Sequence, residues 1–116
     1  MELDPRSLRP TQGAEDTYAG GLLDRVIQDI RNSGHIEPLE VFECDGSYYI
    51  LDGHKRAVAA QVLGWDAVPV SVLFNSDDTL PWGEPVRHFV ANLPLTTYQA
   101  DMDMLVEGAI RRHHNE

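Results

Sequence analysis

An α/β fold, a small mixed sheet with helices packed on it, follows from three observations in this sequence of 116 residues. Two apolar runs, residues 39–43 and 48–51, flank Cys44-Asp45-Gly46-Ser47. Asp-Gly between such runs is a hairpin signal, because both residues tolerate the positive φ of a tight turn. Residues 22–32 place Leu22, Leu23, Val26, Ile27 and Ile30 on one face at helical spacing. A second apolar helical stretch, residues 57–63, lies between the strand at 48–51 and the alternating Val68, Val70 and Val72. Strand, helix, strand in that order predicts a crossover in a mixed sheet.

From the start of the chain, residues 1–13 hold Leu3, Arg6, Leu8 and Arg9 among two prolines. Pro5 and Pro10 rule out a continuous helix, so the stretch reads as extended, with an edge strand around Leu8. Residues 13–21 read as a glycine-bounded loop. Its Glu15 and Asp16 suit a solvated acidic surface, with a base or a metal-holding pair as the alternative. The helix at 22–32 turns Asp24, Arg25, Gln28, Asp29 and Arg31 to water, where Asp24 and Gln28 do no more than solubilise, and Gly34 stops it. His35 reads as a loop histidine. Pro69 puts the third strand at an edge, or itself at that strand's N-terminal end.

Nineteen acidic residues against nine Lys plus Arg give a formal charge of −10. That balance weighs against sequence-independent DNA binding, which neutralises phosphates with a broad basic surface, and it still permits a small local basic pocket. The single cysteine, Cys44, excludes an internal disulfide and a CxxC metal site, and reads as a half-buried residue near a strand end. No apolar run approaches the ~18 residues of a membrane span, and no signal-peptide core opens the chain. The expectation is a cytoplasmic protein without membrane contact.

The chemistry concentrates between Tyr48 and Gly64. A strand ends at Asp52-Gly53, and a helix begins with His54, Lys55 and Arg56. A helix N-terminus presents unpaired N–H groups and roughly half a positive charge, so it favours an anion. Acidic residues are the usual occupants of a first turn. Three cation-capable residues there oppose the helix dipole, and a bound phosphate is the simplest reason for them. Lys55 is also the only lysine of the chain. Arg56 is the firmest candidate ligand, always charged and able to donate a bidentate fork. Lys55 adds a flexible point charge, and His54 a hydrogen bond or a proton shuttle.

The order of these motifs carries a resemblance. Residues 34–41, Asp45-Gly46-Ser47, residues 48–57 with Asp52-Gly53-His54-Lys55-Arg56-Ala57, Leu63-Gly64 and Val68-Pro69-Val70 together resemble the ParB/sulfiredoxin superfamily, with Leu8-Arg9-Pro10-Thr11-Gln12 similar to its first-strand segment. The resemblance covers residues 8–74. It implies a nucleotide (ATP, ADP or CTP, with magnesium brought by the ligand) whose phosphates rest on Asp52, Gly53, His54, Lys55 and Arg56. Sulfiredoxins carry a cysteine where this chain has His54, and Cys44 lies on the preceding turn, so sulfinic-acid chemistry lacks its attacking thiolate. The Asp-Gly-His-x-Arg form is similar to the free serine kinases of the fold. Those need a carboxylate near the first strand to activate a hydroxyl; Glu15 is the first candidate and Asp16 the second. Glu15 and His54 are therefore the expected catalytic pair.

The remaining residues, 75–116, form a connector and a C-terminal helical extension on the 1–74 domain. Asp77 and Asp78 lie in a polar break, and Trp82, Phe89 and Val90 are expected to cover an edge of the core, with a short helix at 86–91. His88 has no partner at ligand spacing. Thr96-Thr97-Tyr98-Gln99 has the spacing of a capping box. From there a helix at 97–114 aligns Tyr98, Met102, Leu105, Val106, Ala109 and Ile110, and ends in Arg111, Arg112, His113 and His114, which suit its dipole. Packing on the domain is the first reading of that stripe; a homodimer or protein partner is the other. Partition proteins of the superfamily continue into a helix-turn-helix, which this segment does not supply. The expected function is nucleotide binding, extending to a phosphotransferase or hydrolase. The alternatives are a non-catalytic regulatory or partner-binding module and, less favoured by charge, a DNA-partition or nuclease-like role.

Overall fold

The computed structural model describes residues 1–18 and 21–113. Five strands form one mixed sheet in the order β1-β5-β3-β4-β2. They are β1 (Glu2–Leu3), β2 (Leu8–Arg9), β3 (Leu39–Cys44), β4 (Ser47–Asp52) and β5 (Val68–Phe74), and a 3-10 turn at Pro5–Ser7 joins the first two. The helices are α1 (Ala14–Tyr18), α2 (Leu22–Ser33), α3 (His54–Val62), α4 (Val86–Ala91) and α5 (Leu95–His113).

The hairpin forms where Asp45-Gly46 predicts it. Both residues take positive φ, 49° and 86°, so the turn follows the right-handed twist of β3 and β4. The crossover also forms, with one difference. Helix α3 leaves β4, but β5 lies on the far side of β3 and runs parallel to β3 rather than to β4. Pro69 sits at the N-terminal end of β5, opposite Glu2 of the edge strand β1 and before the β3 ladder begins at Val70. Its missing N–H therefore interrupts no central ladder. Strand β3 shifts register twice, between Glu40 and Val41 against β4 and between Val41 and Phe42 against β5.

Alternation along the strands divides the core between the two faces of the sheet. Leu39, Val41, Ile50, Val68 and Val70 meet α2, α3 and α5 on one face, joined by Leu8 from β2. Phe42, Cys44 and Tyr49 point to the other, where Leu80, Val86 and Phe89 cover them. Phe42 stacks on Tyr49 with ring centroids 5.4 Å apart and meets Phe89 edge-on at 6.0 Å. The segment after residue 74 thus completes one face of the sheet and, through α5, helps cover the other. Met102 and Ala109 of α5 are buried against the core, with Leu105 and Val106 packed beside them.

Several local expectations change. Residues 14–18 are helical, not loop, and the backbone N–H of Ala14 is held by the Asp101 carboxylate at 3.1 Å. Leu22 and Ile110 are exposed rather than part of the apolar faces. Helix α5 starts at Leu95, directly after Pro94, so Thr96 is inside the helix and caps nothing. Asp24 does more than solubilise: it accepts from Arg112 Nη2 and from His113 Nε2, both at 2.9 Å, joining the end of α5 to α2. His114 lies outside the described residues. None of the helices among the described residues is long and apolar enough to cross a membrane.

Candidate phosphate-binding site

Strand β4 ends at Asp52, and Gly53 turns the chain with φ of 116°. A side chain is excluded there twice over. The left-handed backbone disfavours it, and a Cβ would lie 2.8 Å from Leu39 Cγ and 3.2 Å from Arg56 Nη2. The turn lets α3 begin at His54. The first helical bond is from Ala57 N–H to the Gly53 carbonyl at 2.9 Å. None of the bonds made outside the helix and strand ladders uses the amides of His54, Lys55 or Arg56, so these donors face the space ahead of the helix.

That space is a cleft of about 430 Å³, walled by residues 51–56, by Gln12 and Asp16 from the first segment, by Val26 and Asp29 from α2, and by the 35–37 linker. The three expected side chains behave differently from one another. Arg56 is tied down: Nη1 donates to the carbonyls of Glu37 (3.1 Å) and Pro38 (2.7 Å), and Nη2 to Asp52 Oδ2 (3.3 Å). Its Nε–H and one Nη2–H remain, on a side chain 23% exposed. Lys55 makes no hydrogen bond or ion pair with the described residues, and its ammonium is the mobile charge of the site.

His54 is not a third cation. It is buried, and its Nε2 accepts the backbone N–H of Thr11 at 2.9 Å, while the Thr11 hydroxyl donates to the Ile50 carbonyl at 2.6 Å. Burial brings its pKa down to about 4, against a smaller opposing pull from Asp52. An accepting Nε2 assigns the proton to Nδ1. Nδ1–H has no partner among the described residues, and His54 is one of the residues that line the cleft.

Asp16, on α1, stands on the wall of the cleft, whereas Glu15 lies in a separate hollow beside Tyr98 and Asp101. The order of the two carboxylates expected from sequence is reversed in position. Gln12 and Asp29 reach the cleft without having been singled out; Gln12 is held by its Nε2 donating to the buried Thr17 hydroxyl at 2.7 Å. The signal for Asp29 was its place beside Val26 and Ile30 on one helical turn. His35 and Glu37 pair at 3.1 Å on the linker. No group of three or more His, Cys, Asp or Glu among the described residues is placed to hold a metal ion. Neither Trp82 nor α5 lines the cleft.

Comparison with known proteins is decisive at this point, since residues 1–80 match the ParB N-terminal domain family. The chain belongs to that family. A nucleoid occlusion protein of Halalkalibacterium halodurans is 34% identical over 79 residues; the match takes in 67% of this chain and 26% of that protein, so this ParB-family chain spans about a quarter of its relative. Among solved structures, sulfiredoxin from Arabidopsis thaliana superposes with a TM-score of 0.55 at 24% identity, over 78% of this chain and 94% of that one. The C-terminally truncated chromosome-partitioning protein ParB from Caulobacter crescentus, solved with CTP-γ-S, superposes at 0.54 with 27% identity, over 64% of this chain and 43% of that one. The mixed sheet and its helices are thus the ParB/sulfiredoxin fold. The expectation from net charge that DNA is an unlikely partner is withdrawn, because a ParB-family domain with a chromosome-partitioning neighbour gives it no support.

Proposed function

We propose that this ParB-family domain binds a nucleotide through its phosphates at the N-terminus of α3, with CTP the first choice. The observation that carries the reading is the conjunction of uncommitted amides at residues 54–56 with the unpaired Lys55 and the pinned fork of Arg56 at one end of an open cleft. Family membership and the neighbour solved with CTP-γ-S support the choice of ligand. The residues fit the group. Lys55 and the amides take the terminal phosphates, Arg56 donates its remaining N–H groups, and His54 offers Nδ1–H as a neutral donor. With no protein-made metal trio among the described residues, magnesium comes bound to the nucleotide.

Turnover, as phosphoryl transfer or hydrolysis, is the second reading, and the Asp16 carboxylate among the lining residues favours it. Asp16 is placed to accept a proton from an attacking hydroxyl or water, whereas His54 at a pKa near 4 is a poor base at neutral pH. A non-catalytic module is the competing class; the open cleft, free of Trp82 and α5, counts against a blocked site.

Calorimetric titration of CTP, ATP and ADP, with and without magnesium, decides the matter. Saturable binding of a triphosphate is expected, weakened about tenfold by Lys55→Ala, the loss of one charge-assisted contact. Arg56→Ala is the harsher variant, because it also frees the carbonyls of Glu37 and Pro38. Failure of all three nucleotides to bind the unmodified chain would sink the reading. Where binding holds, release of phosphate with Asp16→Asn as the control separates turnover from binding alone.

A further inference from the structure

A second cleft of about 430 Å³ opens at the other end of β4, where Arg6, Arg9, Ser47, Tyr48 and Gln99 surround Leu3. None of its lining residues is acidic, in a chain of formal charge −10. The first cleft, by contrast, sets Asp16, Asp29, Glu37 and Asp52 beside Lys55 and Arg56. At roughly 3.3 Å per residue, the length of β4 separates the two by about 17 Å.

Gln99 Nε2 donates to Asp103 at 3.1 Å, the Ser7 hydroxyl to the Asp4 carbonyl at 2.7 Å and the Gly46 N–H to Glu43 at 2.7 Å. The uncommitted donors of this cleft are therefore on Arg9, Arg6, Ser47 and Tyr48. Arg9 makes no hydrogen bond or ion pair with the described residues, while Arg56, Arg87 and Arg112 are each paired to a carboxylate. Its backbone is fixed by pairing with Tyr49 in the parallel β2–β4 ladder, and the preceding Leu8 is buried in the core. The strand therefore fixes where the Arg9 side chain leaves the backbone, at the rim of the cleft. Arg6 meets Asp4 through Nε at 3.2 Å, which leaves both of its terminal nitrogens. The Ser47 and Tyr48 hydroxyls have no partner among the described residues.

We propose that this cleft is a second anion site, independent of α3, that takes a small phosphorylated ligand: a phosphomonoester or pyrophosphate. The planar fork of Arg9 matches two oxygens of a tetrahedral oxyanion, and neighbouring hydroxyls supply further donors. Two arginines match the one or two phosphate groups of a small ligand, and a duplex is the other outcome of the test.

The test is an amide and arginine side-chain NMR titration of the full chain with inorganic pyrophosphate, glycerol phosphate and a short DNA duplex. The expected result is saturable movement of the Gly46, Ser47 and Arg9 Nε–H signals with pyrophosphate and with glycerol phosphate. The apparent affinity falls about tenfold in Arg9→Ala, partly recovers in Arg9→Lys, and is unchanged in Lys55→Ala. Arg9 is exposed, so the variants keep the fold, and unmoved signals elsewhere report that directly. No movement at these residues, equal movement in Arg9→Ala, or response to the duplex without response to pyrophosphate would each overturn the proposal. Loss of pyrophosphate signals at residues 53–56 in Lys55→Ala, with those at Arg9 retained, shows two sites, so failure at one is distinguishable from failure at the other.

Discussion

Gly53 is the residue on which the turn into α3 depends, because its backbone angle and its distance from Leu39 both forbid a side chain. Gly53→Ala is expected to cost on the order of 3 kcal/mol, strain and overlap together. Gly34→Ala, at φ of 67° with nothing near its absent side chain, should cost about 1 kcal/mol. Urea midpoints of the two variants check the difference. His54 supplies a second prediction. Its folded pKa, about 4, is below the ordinary value of 6.5, so the unfolded chain binds the proton first as pH falls. The contribution of His54 is complete above pH 6.5 and is lost progressively toward pH 4, on the order of 3 kcal/mol in all. In His54→Asn the fall in stability over that window should flatten. A slope unchanged from the parent chain would show that His54 is not the titrating group. Sequence alone could name His54 but not its protonation, since burial under Thr11 depends on an edge strand that is distant in the chain.

Among the elements, α5 is joined to α2 by one carboxylate that accepts from both Arg112 and His113. Arg112 also lies over the Tyr18 ring at 5.6 Å, so the same joint reaches α1, and Arg31 Nη2 donates to the His113 carbonyl at 3.2 Å. Asp24 is a third exposed and its pKa is lowered overall: burial raises it, and bonds from His113 and Arg112 outweigh that. Screening by solvent reduces the value of the pair, and Asp24→Asn is expected to cost about 1 kcal/mol. Hydrogen exchange should quicken in the last two turns of α5 and not in β3. Equal quickening in both would mean that the joint belongs to global stability instead. The elements most legible in sequence were those whose signals are local. Asp45-Gly46 specified a hairpin by turn chemistry, and residues 22–32 a helix by period. Helix α1 was not legible, because five residues take helical form only with Asp101 of α5 holding the first amide. Which of Glu15 and Asp16 lines the cleft follows from that helix, and so was not legible either.

At the scale of the molecule, the sheet needs both of its faces covered, and on the Phe42 face Val86, Phe89, Val90, Leu93 and Leu95 of that cover lie beyond the boundary of the family match. A chain ending at residue 80 would lose Val86 and Phe89 and expose the stacked Phe42 and Tyr49 rings. Light scattering should find it associated where residues 1–116 are monodisperse at the same concentration. Equal behaviour of the two would mean that the later segment is dispensable. Residues before and after position 74 thus contribute to the same core. The motif from Asp52 to Arg56 could be read from the sequence because it is contiguous, whereas shared burial across residue 74 leaves no local mark there.

The two register shifts of β3 have a consequence for how such a chain can vary. Val41 sits between an offset toward β4 and an offset toward β5, so sliding β3 by one residue breaks both ladders and moves Phe42 to the wrong face. The strand behaves as a keyed shaft. Insertions and deletions should be absent between residues 39 and 52 in related chains and gather instead in stretches such as 75–79, where an added residue leaves every key in its slot.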